Sequence, residues 1–249
     1  MITTNCCFCK KSQSMKKEPY VILITGGSDG LGKVIAQHLN TSHKVVILSR
    51  NQEKLEKTAA EIGCQWVQAD VTQPSEVAEA VREVLTWHPQ IDILINCAGR
   101  LIDGLLENYE PYEIEQVIQV NILGVMYMTR AVLPRMKLLG KGKIITIGSQ
   151  AGLRGRKSRT VYTATKWAVR GFSASLQEEV AQNGISVSVI NPGLMQTDLL
   201  KKAGVTGESL ETGLHLDSVA ALVKLVVESP ESITIPELGV KTLADVHGW

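Results

Sequence analysis

The sequence predicts an α/β fold: a doubly wound, mostly parallel sheet of seven strands with helices on both faces, three layers in all. Three observations carry this prediction. Short continuous apolar runs rich in Val and Ile recur along the chain, as strands buried on both faces require. Between them lie stretches with apolar residues at helical spacing. The alternation runs from Tyr20 to Val240 without linker, repeat or composition break, so residues 20–249 read as one domain and residues 1–19 as a disordered tail.

Tyr20–Thr25 is an apolar run ending in glycines and reads as the first strand. Leu31–Leu39 follows as helix and Lys44–Ser49 as strand. Glu53–Ile62 reads as helix, Gln65–Ala69 as strand, and Ser75–Trp87 as helix with Pro74 preset at its start. Ile91–Ile95 is a buried strand. Tyr112–Leu139 is a long helical stretch in which Pro134 predicts a kink or a stop. Lys143–Gly148 is strand, Tyr162–Gln182 helix, Ile185–Asn191 strand, Asp217–Glu228 helix, and Ile233–Val240 the last strand.

With 44% hydrophobic and 20% charged residues among 249, disorder, collagen and coiled coil are excluded. Lys plus Arg is 26 and Asp plus Glu 25, which lacks the basic excess of a dedicated nucleic-acid binder. The longest purely apolar runs are about five residues, against the roughly 18 needed to span a bilayer, so no membrane span is expected. The five cysteines (Cys6, Cys7, Cys9, Cys64, Cys97) are odd in number, and the tail has no secretory pattern, which points to reduced thiols in the cytoplasm. Cys6 and Cys9 have the spacing of half a zinc site, but no second pair follows, and no metal is expected.

Gly26-Gly27-Ser28-Asp29-Gly30-Leu31-Gly32 sits between the first strand and the first helix. Glycines at 26, 30 and 32 let the chain turn tightly and bring its N–H groups and the helix N-terminus against a pyrophosphate. That context predicts a Rossmann-type dinucleotide site contacted by Ser28, Asp29 and Leu31 as well, although the spacing is GxxxGxG rather than GxGxxG. The same stretch fits GxSxG, the nucleophile elbow of an α/β-hydrolase with Ser28 as nucleophile. That elbow needs several strands upstream, and only about twenty residues precede this one.

After the second strand the chain reads Ser49-Arg50-Asn51, with no acid at 48–52. An NAD site presents Asp or Glu here to the ribose 2′-OH. A hydroxyl and a guanidinium suit a 2′-phosphate instead, so NADP(H) is expected in preference to NAD(H). Asp70 is placed to meet the adenine or to cap the following turn, with Val71 in the apolar wall.

Tyr162-Thr163-Ala164-Thr165-Lys166 lies in a helical stretch, so Tyr162 and Lys166 point the same way. An ammonium beside a phenol favours its phenolate form, which lets a tyrosine give or take a proton at a carbonyl or alcohol oxygen. Ser149 ends the preceding strand at the edge where ligands bind in this architecture.

Together these residues resemble the short-chain dehydrogenase/reductase family, in the compact one-domain branch that includes 3-oxoacyl-carrier-protein reductases. The resemblance is carried by Thr25-Gly26-x3-Gly30-x-Gly32, Asp70-Val71, Asn96-Cys97-Ala98-Gly99, Asn121, Ser149, Tyr162-x3-Lys166 and Pro192-Gly193-x3-Thr197. It implies that Tyr162 is the general acid/base, that Lys166 supports it and binds the nicotinamide ribose, and that Ser149 orients the substrate oxygen. Asn121 would open the long helix to hold a water. Asn96, Ala98 and Gly99 would border the cofactor, and Pro192, Gly193 and Thr197 would hold the nicotinamide end. The implied activity is hydride transfer between NADP(H) and a small-molecule carbonyl or alcohol, in a homodimer or homotetramer joined through helices 112–139 and 162–182. A non-catalytic NADP-binding redox sensor is the alternative, but a sensor has no need of the set Asn121, Ser149, Tyr162 and Lys166.

Cys97 departs from the family pattern, which has a second Asn there, and the stretch Ile233–Trp249 lacks the glycine-rich ending of carrier-protein reductases. Leu194, Met195, Leu199, Leu200, Lys201 and Lys202 predict an apolar lid. Arg154, Arg156, Lys157 and Arg159, with no acid among them, would attract an acyl thioester on an acidic carrier, or else form plain solvated surface.

Overall fold

The structure, a computed structural model, describes residues 18–196 and 213–243. The expected tail disorder (residues 1–17), Thr197, and the lid residues Leu199, Leu200, Lys201 and Lys202 lie outside the described residues. Seven strands form one sheet in the order β3-β2-β1-β4-β5-β6-β7. They are β1 Val21–Thr25, β2 Lys44–Ser49, β3 Gln65–Gln68, β4 Ile93–Asn96, β5 Gly142–Ile147, β6 Ile185–Pro192 and β7 Glu237–Val240. Every neighbouring pair is parallel. All strand carboxyl ends therefore share one edge, and the chain reverses its order across the sheet between β1 and β4, where a crevice opens.

The helices are α1 Gly30–Asn40, α2 Gln52–Ile62, α3 Pro74–Trp87, α4 Pro111–Ile118, α5 Gly124–Leu139, α6 Thr160–Val180 and α7 Leu216–Glu228. Strand side chains alternate between the two faces. Ile22, Ile24, Ile47, Ile93 and Ile145 pack with Leu31, Ile35, Leu55, Val219 and Val223 of α1, α2 and α7. Leu23, Val46, Leu94, Ile144 and Val187 pack with Val77, Val81, Met128, Val132 and Leu176 of α3, α5 and α6. Three layers result, with an apolar core on each side of the sheet.

The seven-stranded parallel sheet agrees with expectation, while two element ends differ from it. The last strand starts at Glu237, not Ile233, because Pro236 offers only its carbonyl, to the Val189 N–H, and has no N–H to continue the ladder backwards. Pro134 does not stop the long helix, which runs on to Leu139 and ends at Gly140 with φ 64°. Pro134 and Arg130, whose carbonyl loses its partner, both lie on the exposed side, where water can serve that carbonyl.

By length and composition the Pro111–Leu139 helix could cross a membrane. Its inner stripe of Val117, Val125, Met128, Val132 and Met136 is buried in the body of the protein, which makes it a core helix.

Candidate active site

At the carboxyl end of β1, Gly26 has φ 69°, and a Cβ there would lie 2.9 Å from the Ala98 backbone. Gly32 packs α1 so closely onto this turn that a Cβ would stand 2.3 Å from the Gly26 carbonyl oxygen. Beyond Gly30 the space is open for 4 Å, where a side chain would project. Asp29 caps α1, its Oδ1 accepting the Gly30 N–H at 2.8 Å and its Oδ2 facing Lys54 Nζ at 3.2 Å. The Ser28 carbonyl accepts from the Thr58 hydroxyl at 3.0 Å, and Leu31 is buried beneath the turn. A helix N-terminus, close backbone packing and clear space before Gly30 fit the pyrophosphate of a dinucleotide.

Next to this turn, Arg50 is two-thirds exposed, and its Nη1 lies 3.4 Å from Asp70 Oδ2. The Ser49 hydroxyl is turned inward and has no hydrogen-bond partner among the described residues. Asp70 caps the turn that follows it: its Oδ1 accepts the Thr72 N–H at 2.9 Å and the Thr72 hydroxyl at 2.8 Å. Val71 is buried and meets α5 where Gly124 lets it approach, since a Cβ there would be 2.8 Å from Val71 Cγ2.

The crevice is pinned at its base by Thr25, whose hydroxyl accepts the N–H groups of both Cys97 and Ala98 at 3.1 Å. Gly99 is exposed beyond them. Asn96 is buried and donates to the Thr129 hydroxyl at 3.3 Å, so it shapes the crevice through packing. Burial pushes the Cys97 thiol up to about 12, only partly opposed by the Lys166 ammonium. Thiolate is the reactive form, so burial keeps the reactive population of Cys97 very small near neutral pH. Cys97 is therefore expected to resist iodoacetamide in the folded protein and to label on unfolding. Peptide mapping checks this, and rapid native labelling would contradict it.

Asn121 sits in the middle of a π-helical turn, Gln119–Leu123, between α4 and α5. Its amide clamps the Arg100 backbone, Oδ1 accepting the N–H and Nδ2 donating to the carbonyl, both at 2.8 Å. Nδ2 also reaches Thr165 Oγ1 at 3.1 Å, and that hydroxyl donates to the Tyr162 carbonyl at 2.7 Å. The clamp thus ties the segment after β4 to the helix bearing Tyr162. Lys166 is buried, donates to the Ile147 carbonyl at 2.9 Å, and stands 5.5 Å from the Tyr162 ring centroid. Tyr162 is half-buried at the crevice end of α6. Ser149 follows β5, and its Oγ accepts the Ala151 N–H at 3.1 Å. Gly152 presses this segment onto α6, where a Cβ would lie 2.9 Å from the Lys166 carbonyl oxygen.

Pro192 ends β6 beside Val240, and the Gly193 N–H donates to the Val240 carbonyl at 2.7 Å. Beyond it Met195 bridges to Leu214. Sequence reasoning missed Asn191, which bonds the Ser149 N–H, and Glu237 and Arg170, which follow in series behind it. An amide at the end of the apolar run Ile185–Asn191 was the available signal; Glu237 and Arg170 offered none. The basic loop is also less free than its charges suggest, because Asp103 from the segment after β4 pairs with Arg159 at 2.7 Å. The Arg154 Nε and Nη2 atoms are buried, and Lys157 is exposed.

Comparison with known proteins agrees with this arrangement. The short chain dehydrogenase profile matches residues 20–206. An uncharacterised oxidoreductase of Staphylococcus aureus is 32% identical over 225 residues, covering 89% of this chain and 96% of the relative. The structure of an alcohol dehydrogenase from the archaeon Thermococcus sibiricus, complexed with 5-hydroxy-NADP, superposes with TM-score 0.83 at 27% identity, covering 91% of this chain and 97% of that one. A 3-ketoacyl-(acyl-carrier-protein) reductase from Brucella melitensis, complexed with NADH, gives 0.84 at 30% identity, covering 90% and 97%. The parallel sheet, the glycine turn at its crevice and these matches lead to one conclusion: the chain belongs to the short-chain dehydrogenase/reductase family, NAD(P)-dependent oxidoreductases of alcohol and carbonyl groups.

Proposed function

We propose that the chain is an NADPH-preferring carbonyl reductase, running as an alcohol dehydrogenase in reverse, with Tyr162 as general acid/base. The supporting observation is the stacking of Tyr162 and Lys166 on α6, with the Lys166 ammonium held by Ile147 at the end of the strand that leads to Ser149. Bound NADPH supplies the hydride for the carbonyl carbon. Tyr162 gives its hydroxyl proton to the carbonyl oxygen as negative charge develops there, and Lys166 stabilises the phenolate left behind. Ser149 accepts from Ala151, which leaves its own proton free to donate to the same oxygen. The glycine turn with Asp29 and Leu31 would hold the pyrophosphate, Lys166 the nicotinamide ribose, and Pro192, Gly193 and Thr197 the nicotinamide end.

NADPH oxidation measured across simple ketones, 3-oxoacyl thioesters, steroids, sugars and quinones tests the reading. Turnover of one class supports it, and NADPH binding without turnover of any would favour a sensor. The Arg159–Asp103 pair argues against a carrier-docking patch at the basic loop, so free small-molecule carbonyls are the proposed class. Arg50 is the proposed 2′-phosphate contact. Arg50→Ala is expected to lower kcat/KM for NADPH by about 10–100-fold, the worth of a hydrogen bond to a charged group. The value for NADH should stay within about two-fold, and equal losses for both cofactors would remove Arg50 from this role. Two or four copies are proposed to associate through α4–α5 and α6, whose outer faces expose Tyr112, Ile118 and Trp167.

A further inference from the structure

We infer that Asn191, Glu237 and Arg170 form a positioning relay that sets Ser149 against the helix carrying Tyr162 and Lys166, with the Glu237 carboxylate as its central group. The inference rests on the reductase reading above and adds a requirement to it. A hydroxyl that must meet a developing oxyanion is useful only if its backbone is held to a fraction of an ångström.

The relay starts at the Ser149 main chain. Its N–H donates to Asn191 Oδ1 at 3.0 Å, just after the Gly148 N–H donates to the Ile190 carbonyl at 2.7 Å. Nothing larger than glycine fits beside this contact, because a Cβ at 148 would lie 2.0 Å from Asn191 Oδ1. Asn191 is 1% exposed, and its Nδ2 donates to Glu237 Oε1 at 2.6 Å. Arg170 then grips Glu237 with a fork, Nε lying 2.8 and 3.1 Å from its two oxygens and Nη2 3.0 Å from Oε2. A second strut runs from Gln150 Nε2 to the Asn191 carbonyl at 3.0 Å.

The chemistry at each joint restricts the residue that can serve there. Asn191 must accept from an N–H on one side and donate to a carboxylate on the other, which an amide does in one orientation only. Aspartate would set carboxylate against carboxylate, and leucine would leave the Ser149 N–H without its acceptor. Glu237 must be charged to receive both the amide and the guanidinium fork. Arg170 is one helical turn beyond Lys166, so the fork ends on the same rigid helix that carries the proton donor. Tyr162 and Ser149, on different elements, thereby share one frame. None of the three relay residues touches a reacting atom; they act through Ser149.

Glu237→Gln keeps the shape of the side chain and removes the charge. Its test is a cycle with Ser149→Ala, reading kcat, KM and the NADPH dissociation constant by fluorescence titration. With Ser149 present, E237Q is expected to lower kcat about ten-fold and leave NADPH binding within two-fold. In the S149A background E237Q should cost less than two-fold more, because the group it positions is gone. Arg170→Lys, which keeps the charge but loses the fork, should fall between wild type and E237Q. An unchanged kcat in E237Q, or the same fold loss in both backgrounds, overturns the relay. NADPH binding without turnover of any carbonyl would overturn the reductase reading instead, and full turnover in Tyr162→Phe would remove Tyr162 as the proton donor while the E237Q cycle still judges the relay.

Discussion

Phenylalanine at position 162 is expected to lower kcat by about 10²–10⁴-fold, the usual contribution of a general acid/base, while NADPH binding stays within about two-fold. The ring survives this change, so Lys166 keeps its place near the ring and its bond to the Ile147 carbonyl. Only the hydroxyl proposed to hand over the proton is lost. Steady-state NADPH oxidation and a fluorescence titration of the cofactor separate the two quantities. Retained turnover would mean that the proton comes from elsewhere. A parallel collapse of cofactor affinity would make Tyr162 a binding group rather than the proton donor.

The second large effect is expected at Gly32. An alanine there would place its methyl 2.3 Å from the Gly26 carbonyl oxygen and 2.8 Å from its carbon, against backbone that cannot rotate away. Relief requires α1 to move off the turn. Overpacking of this kind costs about 1–3 kcal/mol, which lowers Tm by about 2–12 °C in a chain of this size. The displaced helix N-terminus would no longer meet the pyrophosphate, and NADPH affinity is expected to fall at least about 100-fold. Gly30→Ala separates the two consequences. Its methyl would meet nothing within 4 Å, but its φ of 51° adds only about 1–2 kcal/mol of strain. It should lose NADPH affinity with a smaller loss of Tm. Wild-type affinity in Gly32→Ala would show that the pyrophosphate is held elsewhere.

Much of this molecule was legible from the chain because its signals are local. Parallel strands buried on both faces must be apolar throughout, and such runs can be read by eye. The Tyr162–Lys166 pair is legible because i and i+4 share a helix face whatever else the protein does. The failures were matters of tertiary context. The helix runs on through Pro134 where both it and Arg130 face solvent, and that exposure is not written in the residues around it. The basic loop looked unopposed because its acid, Asp103, lies 56 residues before Arg159 in the chain. Arg170 and Glu237 are ordinary surface residue types, and only the fold brings them to the carboxyl edge where Asn191 waits.

The π-helical turn at Gln119–Leu123 carries a consequence of a different kind. Such a turn holds one residue more than the α-helix it interrupts and gives up regular hydrogen bonding to accommodate it. A chain shortened by one residue there could run from Pro111 to Leu139 as unbroken α-helix. It would gain ladder bonds, and it would swing the amide of Asn121 away from Arg100. The regular form of this helix is thus not the form that clamps the segment after β4. Selecting variants for thermal resistance alone would favour the deletion, whereas selection for turnover keeps the extra residue.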